Sequence, residues 1–132
     1  MSIPKARVLI VDDIPEQRDI HATLLRFSGY EVIEAENGQE ALRMVREHTP
    51  DVVIMDVMLP VLDGWAATER IKADPATARL PVLILTARAL KHEQARSQSA
   101  GADAYLSKPC NPTDVLHEVE RLLRSHPASA AE

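Results

Sequence analysis

The sequence predicts an α/β protein in which a five-stranded parallel β-sheet is flanked by five helices. Two observations support this. Short, almost continuous apolar runs recur along the chain, which is typical of strands buried on both faces of a parallel sheet. Segments with helical spacing of apolar residues separate these runs. The order is therefore strand then helix, repeated five times, which right-handed crossovers can connect.

Five apolar runs are predicted as strands. The strongest are VLIV (8–11), VVIM (52–55) and VLIL (82–85). The run EVIEA (31–35) alternates in polarity, as an edge strand does, and AYL (104–106) is short.

Five segments between and after these runs are predicted as helices. The first begins at Pro15, a favoured first helical residue, ends at Gly29, and places Ile20, Leu24 and Phe27 on one apolar face. The second helix contains Ala41, Leu42 and Val45 and stops before Pro50, and the third covers 64–73 with Ala67 and Ile71 facing inward.

The fourth predicted helix covers 89–100 and has few large apolar residues. The last has Asn111 as its N-cap, followed by Pro112. Its apolar residues at helical spacing are Val115, Leu116, Val119, Leu122 and Leu123.

Composition indicates one ordinary globular domain, predicted over residues 1–125, with a disordered tail at 126–132. The net charge of −5 argues against a nucleic-acid or acidic-membrane surface. No apolar run is long enough to span a bilayer, and the first residues lack a signal-peptide pattern. A single cysteine, Cys110, favours a reducing, cytoplasmic location.

Polar side chains follow four of the predicted strands, at the point where each strand ends. Asp12 and Asp13 follow the first strand, Asp56 the third, Thr86 the fourth and Lys108 the fifth. Because the carboxyl ends of parallel strands share one edge of the sheet, these side chains should converge where open α/β sheets bind ligands.

The chemistry of this set points to phosphoryl transfer. Three close carboxylates repel one another unless a cation lies among them, and oxygen ligands without His or Cys favour Mg²⁺. Asp56, beside a metal ion and Lys108, is a plausible nucleophile, since carboxylates do form aspartyl-phosphates.

The same stretches resemble the receiver domain of bacterial two-component response regulators. The matching motifs are VLIVDD (8–13), VVIMDVMLPVLDG (52–64), LPVLILTA (80–87), AGADAYLSKP (100–109) and the closing helix. The resemblance implies a flavodoxin-like receiver fold with strand order 2-1-3-4-5.

The resemblance also implies a role for each site residue. Asp56 matches the phosphorylated aspartate; Asp12, Asp13, Asp56 and the backbone carbonyl of Met58 match the Mg²⁺ ligands; Thr86, Ala87 and Lys108 match the residues that contact the phosphoryl group; Thr86 and Tyr105 match the switch pair. A cis bond between Lys108 and Pro109 is expected on the same ground.

By this resemblance the protein takes a phosphoryl group from a histidine kinase or histidine phosphotransferase and signals to a partner protein. The partner would bind the face made by the predicted fourth helix, the fifth strand and the fifth helix. We expect a stand-alone receiver without nucleic-acid or membrane partners. Its only chemistry would be Mg²⁺-dependent self-phosphorylation and slow autodephosphorylation, so it is not predicted to be an enzyme.

Simpler interpretations stand beside these. Asp13 could cap the first helix, Asp56 could begin a polar loop, Lys108 could be solvated, and Thr86 could merely end a strand. Tyr105 and Trp65 could be partly buried core residues, and Cys110 a small filler. His21, His48, His92, His117 and His126 have no metal-ligand spacing and are predicted to lie on the surface.

The sequence fits three other functions less well. A phosphatase of the haloacid-dehalogenase type needs an acid two places after its nucleophile, where this chain has Ile14, Pro15 and Met58. A flavodoxin-like cofactor binder needs a phosphate loop, where this chain has the acidic DDIPEQ. A degenerate receiver that only binds partners would not need the five matched polar residues.

Overall fold

Five parallel strands form one sheet, and numbered along the chain they lie in the order 2-1-3-4-5 that the resemblance implied. The computed structural model describes residues 5–87, 95 and 99–125. The strands are β1 (Arg7–Val11), β2 (Glu31–Ala35), β3 (Val52–Asp56), β4 (Val82–Thr86) and β5 (Ala104–Ser107). The helices are α1 (Pro15–Phe27), α2 (Gly38–His48), α3 (Gly64–Ala73) and α4 (Pro112–Ser125).

The expectation of five helices is corrected to four within the described part of the chain. The predicted fourth helix, residues 89–100, lies outside the described residues except at positions 95, 99 and 100, which are helical. The predicted tail, 126–132, also lies outside them. No helix in the described ranges is both long enough and apolar enough to cross a bilayer.

Alternate residues of each strand enter two different cores, which explains the continuous apolar runs. In β3, Val53 and Met55 belong to the core beneath α2 and α3, whereas Val52 and Ile54 belong to the core beneath α1 and α4. Helices cover both faces of the sheet, so both faces of each strand need apolar side chains. In each of the first four strands, neither face carries more than one polar residue. We call these the α2/α3 core and the α1/α4 core.

The inward face of α1 differs from the prediction. Ile20 and Phe27 are 55% and 88% exposed, and the buried residues of the helix are His21, Ala22 and Leu25. The predicted stripe of Ile20, Leu24 and Phe27 is therefore not the buried face of the helix, since two of these residues are exposed and Leu24 is half-buried. His21, predicted on the surface, is therefore a buried residue.

The other helices bury the faces that their spacing predicted. In α2 the buried set includes Ala41, Leu42 and Val45, and in α3 it includes Ala67 and Ile71. In α4, Val115, Val119 and Leu122 are buried, while Leu116 and Leu123 pack against the same core from partly buried positions.

Candidate functional site: an acidic cleft at the carboxyl edge of the sheet

Three carboxylates converge at the carboxyl edge of the sheet. One oxygen from each of Asp12, Asp13 and Asp56 lies within 4.8 Å of the others. Asp12 and Asp56 are buried, at 3% and 4% exposure, and Asp13 is exposed. The predicted convergence of the strand ends is thus confirmed for all three acids.

Lys108 reaches into this cluster from the residue after β5. Its Nζ atom lies 3.3 Å from Oδ2 of Asp56 and 3.7 Å from Oδ2 of Asp12. The Lys108–Pro109 peptide bond is cis, as expected. The backbone N–H of Lys108 also donates to the carbonyl of Thr86 at 2.6 Å, so the chain after β5 is tied to the end of β4.

Burial raises the pKa of the Asp56 carboxyl above its ordinary value. The Lys108 ammonium opposes this rise in pKa, the Asp12 carboxylate adds to it, and hydrogen bonds from Lys108 and from the backbone of Met58 also favour the ionised form. Asp56 is therefore a carboxylate with little solvation of its own. A second cation among the acids would stabilise its charge.

The interpretation of Asp13 as a helix cap is wrong. The N-cap position of α1 is Ile14, and no side chain caps it. Oδ1 of Asp12 instead accepts a hydrogen bond from the backbone N–H of Ile14 at 2.9 Å, which fixes the turn between β1 and α1. The exposed Asp13 carboxylate stays in the cleft with its neighbours.

An open cleft of about 870 Å³ surrounds the cluster. Its lining includes most of the residues predicted from the sequence, together with Gln17 and Asp63, which were not predicted. The predicted residues in the lining are Asp13, Asp56, Met58, Thr86, Ala87 and Lys108. Trp65, at 7% exposure, forms part of the same wall and of the α2/α3 core.

Of the two predicted switch residues, Thr86 lines the cleft together with Asp56, and Tyr105 does not. Thr86 shares the alternation of Val82 and Ile84, which enter the α2/α3 core, and Tyr105 packs against that same core. Thr86 is buried and Tyr105 is half-buried.

Several residues that shape the site were missed from the sequence. Asp63 caps α3 by accepting a hydrogen bond from Ala66 N–H at 2.8 Å. The Arg18 guanidinium donates to the backbone carbonyl of Asp12 and pairs with Glu34, each at 2.7 Å. The motif D-G-W-A could have revealed the cap, whereas no local pattern pairs Arg18 with Glu34.

A magnesium ion suits the donor set. The three converging groups are hard carboxylate oxygens, and the exposed Asp13 keeps one side open to solvent, which matches an ion that retains water ligands. The backbone carbonyl of Met58 follows Asp56 by two residues, in a loop that lines the cleft.

A doubly wound sheet with an acidic cleft and a strand-end lysine defines a class of phosphoryl-accepting signalling domains, and comparison with known proteins agrees. The sequence model of the response regulator receiver domain matches residues 8–120. The chain therefore belongs to the response regulator receiver domain family.

Three known proteins illustrate the similarity. The chain is 36% identical to the polar-differentiation response regulator DivK of Brucella anthropi, over 92% of this chain and 98% of that protein. It is 41% identical to a gliding motility regulatory protein of Myxococcus xanthus, over 89% of this chain but only 15% of that longer protein. It is 33% identical to the receiver domain of a sensor histidine kinase from Pseudomonas aeruginosa. That structure has a TM-score of 0.82, the match covers 89% of this chain and 97% of that one, and the structure holds a magnesium ion in its active-site cleft.

Proposed function

We propose that the Asp56 carboxylate accepts a phosphoryl group from a phosphohistidine on a histidine kinase or histidine phosphotransferase. The observation that carries this proposal is the position of the Lys108 ammonium, 3.3 Å from a buried carboxylate that lies among two further acids. A nucleophile, a fixed positive charge and a candidate cation site thus meet in one cleft that is open to a partner.

The proposed transfer forms one bond and breaks another. An Asp56 oxygen attacks phosphorus in line, the O–P bond forms, and the N–P bond of the phosphohistidine breaks. The imidazole nitrogen keeps the electron pair and takes a proton from solvent. Positioning and charge neutralisation supply most of the catalysis in such transfers. Lys108 supports the transfer by offering its ammonium to the phosphoryl oxygens beside Asp56.

Asp12, Asp13, Asp56 and the Met58 carbonyl are the groups that would hold Mg²⁺. When bound, the ion supplies positive charge that neutralises the acids and the transferring group. The carboxylates of this chain keep the site negative and selective for a hard cation. Thr86 and the backbone N–H of Ala87, both on the cleft wall, would contact the phosphoryl group once it is attached.

The proposed output is a change at Thr86 and Tyr105. A new dianion on Asp56 would draw the Thr86 hydroxyl toward it, which would free space for the Tyr105 ring on the α2/α3 side of the sheet. The partner protein would bind β5, α4 and the predicted helix at 89–100, most of which lies outside the described residues. The lone cysteine, Cys110, is in keeping with action in the cytoplasm.

Intact mass after incubation with Mg²⁺ and acetyl phosphate tests this function. The wild-type chain should gain one phosphoryl group, Asp56→Asn should gain none, and the exposed-helix variant Asp19→Asn should behave as wild type. Lys108→Ala should slow the gain strongly. If the wild type gains nothing with acetyl phosphate or with a phosphorylated phosphotransferase, the chain acts only as a binding module.

A further inference from the structure

Gln17 contacts the site lysine more closely than either acid does. Its side-chain Oε1 accepts a hydrogen bond from Nζ of Lys108 at 3.0 Å, whereas the nearest oxygens of Asp56 and Asp12 lie at 3.3 and 3.7 Å. Both Gln17 and Lys108 line the cleft. The ammonium thus has a neutral partner on α1, outside the acidic cluster.

The position of Gln17 is set by a well-anchored part of α1. The next residue, Arg18, has a side chain only 12% exposed and donates at 2.7 Å to both the Asp12 carbonyl and the Glu34 carboxylate. Further along the helix, Ala22 and Leu25 are buried in the α1/α4 core. The helix therefore cannot turn or slide without breaking these contacts, and the exposed Gln17 is held at the wall of the cleft.

This contact bears on a competition at Asp56. The Lys108 ammonium and a divalent cation both need the oxygens of Asp12 and Asp56, and each lowers the other's affinity for them. A lysine that gives up a carboxylate loses a charge-assisted hydrogen bond unless another acceptor replaces it. Gln17 offers that acceptor at hydrogen-bonding distance and carries no charge that would hold the cation itself.

We propose that Gln17 is a positioning residue for Lys108, which keeps the ammonium on the α1 side of the cleft and thereby strengthens Mg²⁺ binding by the acidic cluster. This inference deepens the proposed function and rests on it for its role in signalling. The contact that it depends on, the hydrogen bond from Lys108 Nζ to Gln17 Oε1, is present in the metal-free protein and is called the tether below. It can therefore be tested without any phosphodonor.

The first test compares two glutamine variants. Gln17→Met keeps the length of the side chain and removes the acceptor, and Gln39→Met makes the same change at an exposed position of α2. Titration with MgCl₂, followed by backbone amide shifts, should give a dissociation constant roughly fivefold weaker for Gln17→Met, the effect of one ordinary hydrogen bond. Gln39→Met should match the wild type. An unchanged or tighter constant in Gln17→Met would overturn the proposal.

The second test observes Lys108 directly in metal-free protein. The ¹³Cε and ¹⁵Nζ signals of Lys108, assigned by their loss in Lys108→Arg, should shift in Gln17→Met and stay in place in Gln39→Met. Gln17→Glu restores an acceptor and should return the Lys108 signals toward a hydrogen-bonded position. Unchanged Lys108 signals in Gln17→Met would refute the tether.

The outcomes separate this inference from the proposed function. A wild-type chain that takes up no phosphoryl group, yet shows the Lys108 shift and the weaker Mg²⁺ binding in Gln17→Met, refutes the phosphoacceptor role and supports the tether. A chain that is phosphorylated normally, with Lys108 unmoved in Gln17→Met, refutes the tether alone.

Discussion

The Lys108 ammonium reaches Asp56 across an intervening strand. Asp56 ends β3 and Lys108 follows β5, and β4 lies between them in the sheet. Two strand spacings amount to about 10 Å, so the full length of the lysine side chain is used to bring Nζ to 3.3 Å from Oδ2. The pair joins both sides of β4, the strand that carries Thr86.

The charge on Asp56 should cost stability in the metal-free protein. Because burial raises the pKa of Asp56 from its ordinary 3.8, the folded state favours the protonated form, and wild-type stability falls as pH rises through the folded pKa. We expect Asp56→Asn to raise the free energy of unfolding at pH 7 by about 1 kcal/mol, measured by urea denaturation. The gain should shrink below pH 4 and also when Mg²⁺ is added. A less stable variant at pH 7 without metal would contradict this.

Val61 is held in an unfavourable backbone conformation. Its φ is 70°, in the left-handed region that β-branched residues avoid, and its side chain is 80% exposed. Val61→Asn should stabilise the fold by about 1 kcal/mol in thermal or urea unfolding, because it relieves strain without losing packing. Thr23→Asn, at an exposed helical position of α1, is the control and should change stability little. Equal effects at both positions would argue against strain at Val61.

His21 should make stability depend on pH in the mildly acidic range. Burial lowers the pKa of His21 below 6.5, the nearby Lys108 lowers it further, and Asp12 opposes them. The unfolded chain then binds the proton more readily, so stability falls as pH drops below 6.5 toward the folded pKa.

We expect His21→Leu to flatten this part of the profile in metal-free urea denaturation between pH 7.5 and 5.5. It should also stabilise the fold, because Nδ1 of His21 is buried with no hydrogen-bond partner among the described residues. His117→Leu, at an exposed position of α4, should leave the slope in place. A slope that survives in His21→Leu would assign the pH dependence to other groups.

Arg18 should contribute more to stability than an ordinary surface arginine. Its side chain is 12% exposed and joins the Asp12 carbonyl to Glu34, which Arg26 also contacts at 2.9 Å. Arg18→Met should lower the free energy of unfolding by about 2 kcal/mol, the scale of charge-assisted hydrogen bonds. Arg43→Met, which breaks an exposed pair with Glu47, should lose only about 0.3 kcal/mol. Similar losses in both variants would contradict a special role for Arg18.

The strand ends were predictable because a parallel sheet brings them together whatever the loops do. Four apolar runs followed by Asp12, Asp56, Thr86 and Lys108 were enough to place these residues at one edge. What could not be predicted was the rotation of α1. The helix has one apolar stripe through Ile20 and a second through Leu25, and periodicity alone does not choose between them.

The same rotation explains why His21 and Gln17 were missed. Both depend on which side of α1 faces the sheet, and Gln17 meets a lysine 91 positions away. Histidine and glutamine are ordinary surface residues by composition, so no local signal marks them. Contacts of this kind arise from tertiary packing and can be found only from three-dimensional structure.

Two glycines pin the loop between β3 and α3. The N–H of Gly64 donates to the Val57 carbonyl at 3.0 Å, and a Cβ at Gly64 would collide with the backbone of Asp56. The N–H of Gly38 donates to the Leu62 carbonyl at 3.0 Å, and a Cβ at Gly38 would collide with the backbone of Leu62. The wall of the cleft that this loop forms is thus rigid, and α2 and α3 pack behind it. In the proposed function, a backbone movement that follows a new charge on Asp56 would therefore occur on the other side of the cleft, at β4 and β5, because the backbone at Gly38 and Gly64 has no room to move.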